Sequence, residues 1–210
     1  MNETAKIQLS KFEIDLVSNA QWILTKQEII KKVYSLFGIV HDLFKKIAED
    51  KIFRAQHFDA HRGGKISRGE NYLGLPYVIL DFPSFFQKED IFAIRSMFWW
   101  GNFFSITLHI SGKKSLQKVN LQDILSLARD SDFYICVNSN EWQHHFLPDN
   151  FIRATELDNE TLKKILSKDF FKMAARLDVK EWTKALPFFE EKYQELITII
   201  EKTSAKGRKP

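Results

Sequence analysis

Arg95, His109, Asp81, Tyr77, Thr107 and Trp99 are the residues through which this chain would bind something. All fall within residues 75–111, LPYVILDFPSFFQKEDIFAIRSMFWWGNFFSITLHIS, and within each apolar run they occupy alternate positions that point to one side. A guanidinium presents a rigid fork to a carboxylate or phosphate. Imidazole, phenol and hydroxyl groups donate or accept hydrogen bonds, and an indole supplies an apolar wall. Arg62 and Arg68, from the polar stretch just before, would add positive charge. Apolar walls with a few convergent polar groups are what a pocket needs, so these eight residues describe a site for a small anionic or aromatic ligand. The competing reading is a half-exposed face whose opposite charges pair with each other.

Other chemistries have fewer parts in place. His57 and His61 stand at a spacing that puts two imidazoles on one side of a helix, and His144, His145 or Asp59 would have to complete a metal site. That set defines the alternative of a hydrolase or nuclease working with or without a divalent metal, against the ordinary reading of two solvated histidines in a polar loop. No Cys-x-x-Cys or His-Glu-x-x-His pattern accompanies them. Cys136, the single cysteine, would need His109 as base to act as a nucleophile, and its neighbours Ile135 and Val137 read instead as a buried, inert thiol. Gly63, Gly64 and Gly69 lie among Arg62, Lys65 and Arg68, yet GGKISRGEN matches neither the Walker nor the dinucleotide pattern, so no cofactor is named. Basic residues at 54–68 and rings at Trp99, Trp100 and Phe103 are the two ingredients of a single-strand nucleic-acid surface, but they sit on different segments. The same rings, read as exposed at a hairpin tip, define a third alternative: an interaction protein that docks a partner or forms a homodimer.

The elements that must position these residues follow from periodicity. Residues 75–111 break into three apolar, ring-rich runs that predict consecutive antiparallel strands. Phe92, Ile94 and Phe98 on the second run and Phe104, Ile106, Leu108 and Ile110 on the third share a face only if the connection holds an odd number of residues. The expected connection is Trp100, Gly101 and Asn102. Arg95, Met97, Trp99, Thr107 and His109 then lie on the opposite face. Asp81 becomes the cross-strand neighbour of Arg95, with Thr107 beside it and His109 diagonal to it.

Around this hairpin the sequence predicts a short helix over 11–22 and a long amphipathic helix that starts at a Thr25/Glu28 capping box and ends near residue 50. Residues 54–71 read as a long loop or a frayed first strand. A helix over 121–129 capped by Asn120, strands at 133–137 and 151–155, a helix from Asn159 with Leu162, Ile165 and Leu166 inward, a strand at 170–177 and a terminal helix over 179–202 complete the chain. Pro187 must kink that last helix or start its second half.

The 210 residues are 44% hydrophobic and 28% charged, with 19 Phe and 5 Trp, which fits a globular domain whose core is built largely from rings. A lone cysteine and the lack of an uninterrupted apolar run predict a cytoplasmic protein without a membrane span. The net charge of +4 owes part of its size to Lys206, Arg208 and Lys209, so it argues little for nucleic acid.

The order of a long helix, a basic loop with His57, His61 and Arg62, and the ring-rich hairpin IFAIRSMFWWGNFFSITLHIS, followed later by LDNETLKKIL, a strand and a terminal helix, resembles the YktB-like family of bacterial proteins. KISRGENYLG departs from the proline-containing segment of that family. The resemblance implies a single domain and brings no activity with it. The expected architecture is α+β: residues 1–203 as one domain with a mainly antiparallel sheet of five or six strands, long N- and C-terminal helices on one face, and a basic tail at 204–210.

Overall fold

Residues 100–102 connect strand β3 (Ile91–Trp99) to β4 (Phe103–Ser111), the three-residue link that parity demands. The computed structural model describes residues 7–50 and 63–204. Arg95 pairs with Thr107 and His109 with Ala93, while on the other side of β3 the strand β2 (Leu75–Phe86) sets Asp81 against Arg95. β1 (Lys65–Tyr72) pairs along β2 at the edge. β5 (Tyr134–Cys136), β6 (Phe151–Arg153) and β7 (Phe170–Asp178) extend the sheet beyond β4 in the order β1-β2-β3-β4-β7-β5-β6, every neighbouring pair antiparallel. Among the described residues the sheet thus has seven strands rather than five or six. The polar run KISRGENY reads as a loop because an edge strand tolerates charge and glycine that a central strand does not.

One face of the sheet is closed by helices. In α2 (Ala20–Asp50), Val33, Phe37, Val40 and Phe44 recur at helical spacing and are fully buried. In α6 (Ala185–Thr203), Phe189, Tyr193, Leu196 and Ile200 do the same. The two helices meet through rings: Phe37 is edge-on to Phe189 at 5.6 Å, and Phe44 stacks on Tyr193 at 3.8 Å. Val78, Leu80, Phe92, Ile94, Phe104, Ile106 and Leu108 supply the sheet side of this core. No described helix is long and apolar enough to cross a membrane.

The remaining helices are set by their caps. Asn120 Oδ1 accepts from the backbone N–H groups of Gln122 and Asp123 at 3.0 and 3.4 Å and starts α4 (Leu121–Arg129) at the expected residue. α3 (Lys113–Leu116) is a single turn after β4. Asp158 caps α5 (Asn159–Leu166), in which Ile165 is buried but Leu166 is exposed, against expectation, because the eight-residue helix turns its last position to solvent. Ser10 and Glu13 form a reciprocal capping box at the start of α1 (Lys11–Ser18). α2 begins at Ala20, before the Thr25/Glu28 pair, because Asn19 alone separates it from α1 and accepts from the Trp22 N–H at 3.2 Å. Pro187 falls in the first turn of α6, where a missing N–H costs nothing, and a 3₁₀ stretch (Val179–Lys184) precedes it. Of the anticipated tail at 204–210, all but Ser204 lies outside the described residues.

Phe104 is fully buried between Phe98, Trp182 and Phe189. Phe104→Ala is expected to cost about 3–5 kcal/mol, read as a fall in the urea midpoint without a change in slope. A loss below about 1 kcal/mol would place this ring outside the core.

Candidate functional site

The second face of the sheet carries Asp81, Arg95, Thr107 and His109 in adjoining positions across β2, β3 and β4. β7 adds Lys172 directly opposite His109. The segment between β5 and β6, residues 137–150, crosses over this face and is tied to it through Glu141, Gln143, His144 and Phe146. Of the predicted set, Asp81, Arg95, Thr107 and His109 are therefore brought together, beneath a cover made by the chain itself.

Arg95 and Asp81 form a forked pair, with Nε donating to Oδ1 at 2.7 Å and Nη2 to Oδ2 at 2.9 Å. The third guanidinium corner, Nη1, points toward His144 Nε2 at 3.5 Å. The Arg95 side chain keeps 14% of its surface in water, and its guanidinium carbon lies 5.9 Å from the centre of the exposed Phe86 ring. His109 Nε2 lies 2.7 Å from Glu141 Oε2, and because the carboxylate accepts, that ring nitrogen carries the proton. Trp142, itself exposed, sets its ring edge to face with His109 at 5.5 Å. Lys172, with 1% exposure, directs its ammonium to the carbonyls of Glu141 at 2.8 Å and Gln143 at 2.6 Å. Lys168 repeats the device at the start of the cover, donating to the carbonyls of Cys136 and Asn138 at 3.2 and 2.7 Å.

Burial governs the protonation of this cluster. Removal from water pushes His109 down to about 4, assisted by the cations of Lys172 and Arg95, while the bond to Glu141 pulls the other way without winning. His144 is held well below its ordinary value by burial first and then by Lys172, Arg95, His109 and His145. Lys172 is pushed down to about 8 by burial, with Arg95 adding to the shift and Glu141 opposing it. At neutral pH both imidazoles are uncharged and the ammonium remains mostly protonated.

The other half of the face is made of rings. Tyr77 and Trp99 lie opposite each other, four residues from Asp81 and Arg95 along their strands, or about 13 Å. They pack with Met97, Phe103 and Tyr72. Trp99 and Phe103 are buried, not exposed at the hairpin tip, because Phe146 of the cover meets Phe103 at 5.1 Å and Tyr72 meets Trp99 at 5.1 Å. Trp100 turns to the helix side, edge-on to Trp22 at 6.2 Å. Gly69 belongs to this packing: a Cβ there would come within 2.5 Å of the Tyr77 ring.

Arg68 stands opposite Val78, on the helix-covered side, where it lines a groove with Lys26, Tyr34 and Glu70. It is not brought to Arg95. Arg62, His57, His61 and Asp59 lie outside the described residues. Among the described residues no three His, Cys, Asp or Glu side chains are gathered closely enough to hold a metal ion. Burial pushes the Cys136 thiol up, and its sulfur lies 3.5 Å from Asn150 Oδ1. A thiol held protonated in this way is a poor nucleophile.

Lys172, Glu141 and Tyr72 complete the cluster without having stood out in the sequence. A lysine at an alternate position of the apolar run FFKMAARL is a signal of burial on one side, but only the pairing of β7 with β4 places it against His109. The Tyr72 hydroxyl accepts from the backbone N–H groups of His144 at 2.7 Å and His145 at 3.1 Å and anchors the cover at its middle.

No protein-family model, curated protein or solved structure matches the chain.

Tyr72→Phe removes one oxygen and leaves two amide groups without their acceptor, so a loss of about 1–3 kcal/mol is expected, with faster hydrogen exchange at residues 143–146. Unchanged exchange there would show that the hydroxyl does not hold the cover. Acid should loosen the same region. His109 and His144 are depressed, so below ~6.5 the unfolded chain takes up protons that the folded chain refuses, and stability falls progressively as pH drops from ~7 toward ~4. Urea midpoints across that range test this, with a shallower slope expected in His109→Gln. A stability that rises on acidification would contradict the assignment of neutral imidazoles.

Proposed function

We propose that the protein is a binding module for a small anionic ligand with an aromatic or flat apolar body, taken up between the second face of the sheet and the cover at 137–150. Lys172 carries this reading: its buried ammonium donates to two carbonyl oxygens and, among the described residues, forms no ion pair with a carboxylate, so positive charge is retained in a place that favours an incoming anion. Arg95 contributes its outward guanidinium corner beside His144, and neutral His109 supplies hydrogen bonding. Phe86 and Trp142, both exposed, flank the side where Arg95 and Glu141 reach water and would wall the ligand's apolar part. Asp81 keeps the arginine aimed through its two hydrogen bonds. Entry requires the cover to lift, because Glu141 and Gln143 now occupy the acceptor positions around Lys172. A ligand carboxylate or phosphate would replace those carbonyls with a charged acceptor, a stronger partner for an ammonium.

Thermal unfolding in the presence of benzoate, phenyl phosphate and inorganic phosphate tests the reading. The aromatic anions are expected to raise the midpoint in a concentration-dependent way, more than inorganic phosphate does, and the shift should vanish in a folded Lys172→Met variant. Absence of any shift in the parent protein, or an equal shift in the variant, defeats it.

A further inference from the structure

We propose that the protein has a second small-molecule site on the helix-covered side of the sheet, a ring-walled slot at Phe98, Trp100 and Trp182 that takes a flat aromatic carboxylate and pairs its acid group with Lys32. The slot is separate from the anion site, which lies on the opposite face.

A cavity of about 410 Å³ is lined by Ile29 and Lys32 of α2, by Phe98 and Trp100 at the end of β3, and by Val179 and Trp182 of the 3₁₀ stretch. Sites for small molecules run from ~300 to ~1,000 Å³, so the volume suits a ligand of one or two rings. Phe98 is buried and meets both indoles at 6.1 Å, with its plane at 84° to Trp100 and 72° to Trp182. Both indoles stand steeply on the phenyl ring, and both remain partly exposed. Walls of this kind suit a flat ring system, which meets them in offset or edge-to-face contact, better than a flexible chain whose rotors must be frozen.

The walls are preformed. The Trp100 N–H donates to the Pro76 carbonyl at 3.0 Å and the Asn102 N–H to the Trp99 carbonyl at 3.0 Å, while the Val179 N–H donates to the Asn102 carbonyl at 3.3 Å. The β3–β4 link and the 3₁₀ stretch are thereby tied to each other. Trp182 also packs edge-on against the buried Phe104 at 5.3 Å.

Charge selects the acid. Lys32 is the one charged residue lining the cavity; it is exposed and, among the described residues, forms no ion pair. The acids around it are already engaged. Lys31 holds Glu28, one turn back on α2, at 2.7 Å, so Lys32 acts on that carboxylate only through space. Glu181 pairs with Lys184 at 2.6 Å, and Asp178 accepts from the backbone N–H of Lys180 at 2.8 Å. One free ammonium beside a ring-lined cavity matches a ligand with one negative charge. Tryptophan rings also attract cations, but among the described residues no carboxylate lines the cavity and Lys32 repels them.

Titration of 2-naphthoate into isotope-labelled protein, followed at the indole N–H signals of the five tryptophans, tests this. The signals of Trp100 and Trp182 are expected to move saturably, in the parent protein and equally in Lys172→Met. Lys32→Glu, at an exposed position, is expected to weaken 2-naphthoate about 5-fold and to leave the neutral 2-naphthol unchanged. Ile29→Trp, which fills the cavity, should abolish binding of both. Signals of Trp100 and Trp182 that stay still, move without saturating, or move as far in Ile29→Trp would overturn the proposal, as would an unchanged affinity of Lys32→Glu for 2-naphthoate. Movement at Trp142 alone would overturn it too, while leaving the anion site standing, because Trp142 borders that site.

Discussion

The side-chain parity across the β3–β4 hairpin is the constraint from which the rest of the structure follows. Side chains alternate along a strand, so three connecting residues instead of two or four decide which side of the sheet every residue of both strands takes. With three, Phe92, Ile94, Phe98, Phe104, Ile106 and Leu108 fall together, and the ring-lined seams of α2 and α6 have a surface to cover. The same choice sends Arg95, Thr107 and His109 to the opposite side, next to Asp81. A slip by one residue would put a guanidinium and an imidazole into the helix-covered core and expose the phenylalanines. The polar cluster is thus a consequence of how the core is built.

That second face would be an ordinary half-wetted surface were it not for residues 137–150. The cover is held by polar side chains: Lys172 and Lys168 reach backbone carbonyls, Tyr72 accepts from two amide groups, and the cover's own Glu141 reaches down to His109. Apolar attachment comes from Phe146, which stacks on Phe151 at 4.7 Å and abuts Phe103 and Tyr134, and from Val137, which packs against the main core at the start of the segment. A lid fastened by hydrogen bonds to a buried cation can exchange those bonds for a ligand's without breaking the helix-side core. This separation between a rigid, ring-packed layer and a polar, exchangeable one is the physical basis for reading the site as a place of binding.

Local signals in the sequence carried much of this. The hairpin register, the Asp81–Arg95 pair, the Asn120 cap and the strand at 170–177 all rest on alternation, parity or a capping side chain, which act within a few residues. β1 escaped because its pairing with β2 is edge-on and its composition is that of a loop. The covering of Trp99 and Phe103 escaped for a different reason. It depends on Phe146, more than 40 residues away, and on Tyr72, and neither contact has a periodic signature. Lys172 shows the same limit: its strand was readable, but its meeting with His109 is a matter of sheet order, β4 beside β7, that no local pattern encodes. Arg68 was aligned with Arg95 by sign of charge alone, and strand parity places it on the other side.

The central claim concerns the charge on one buried lysine, and its titration is the direct measure. An NMR pH titration of the Lys172 side chain is predicted to give a midpoint of about 8, moving upward when phenyl phosphate is added, because a bound anion stabilises the protonated form. A midpoint at the ordinary ~10.4 of a solvated lysine, unmoved by the anion, would contradict the account.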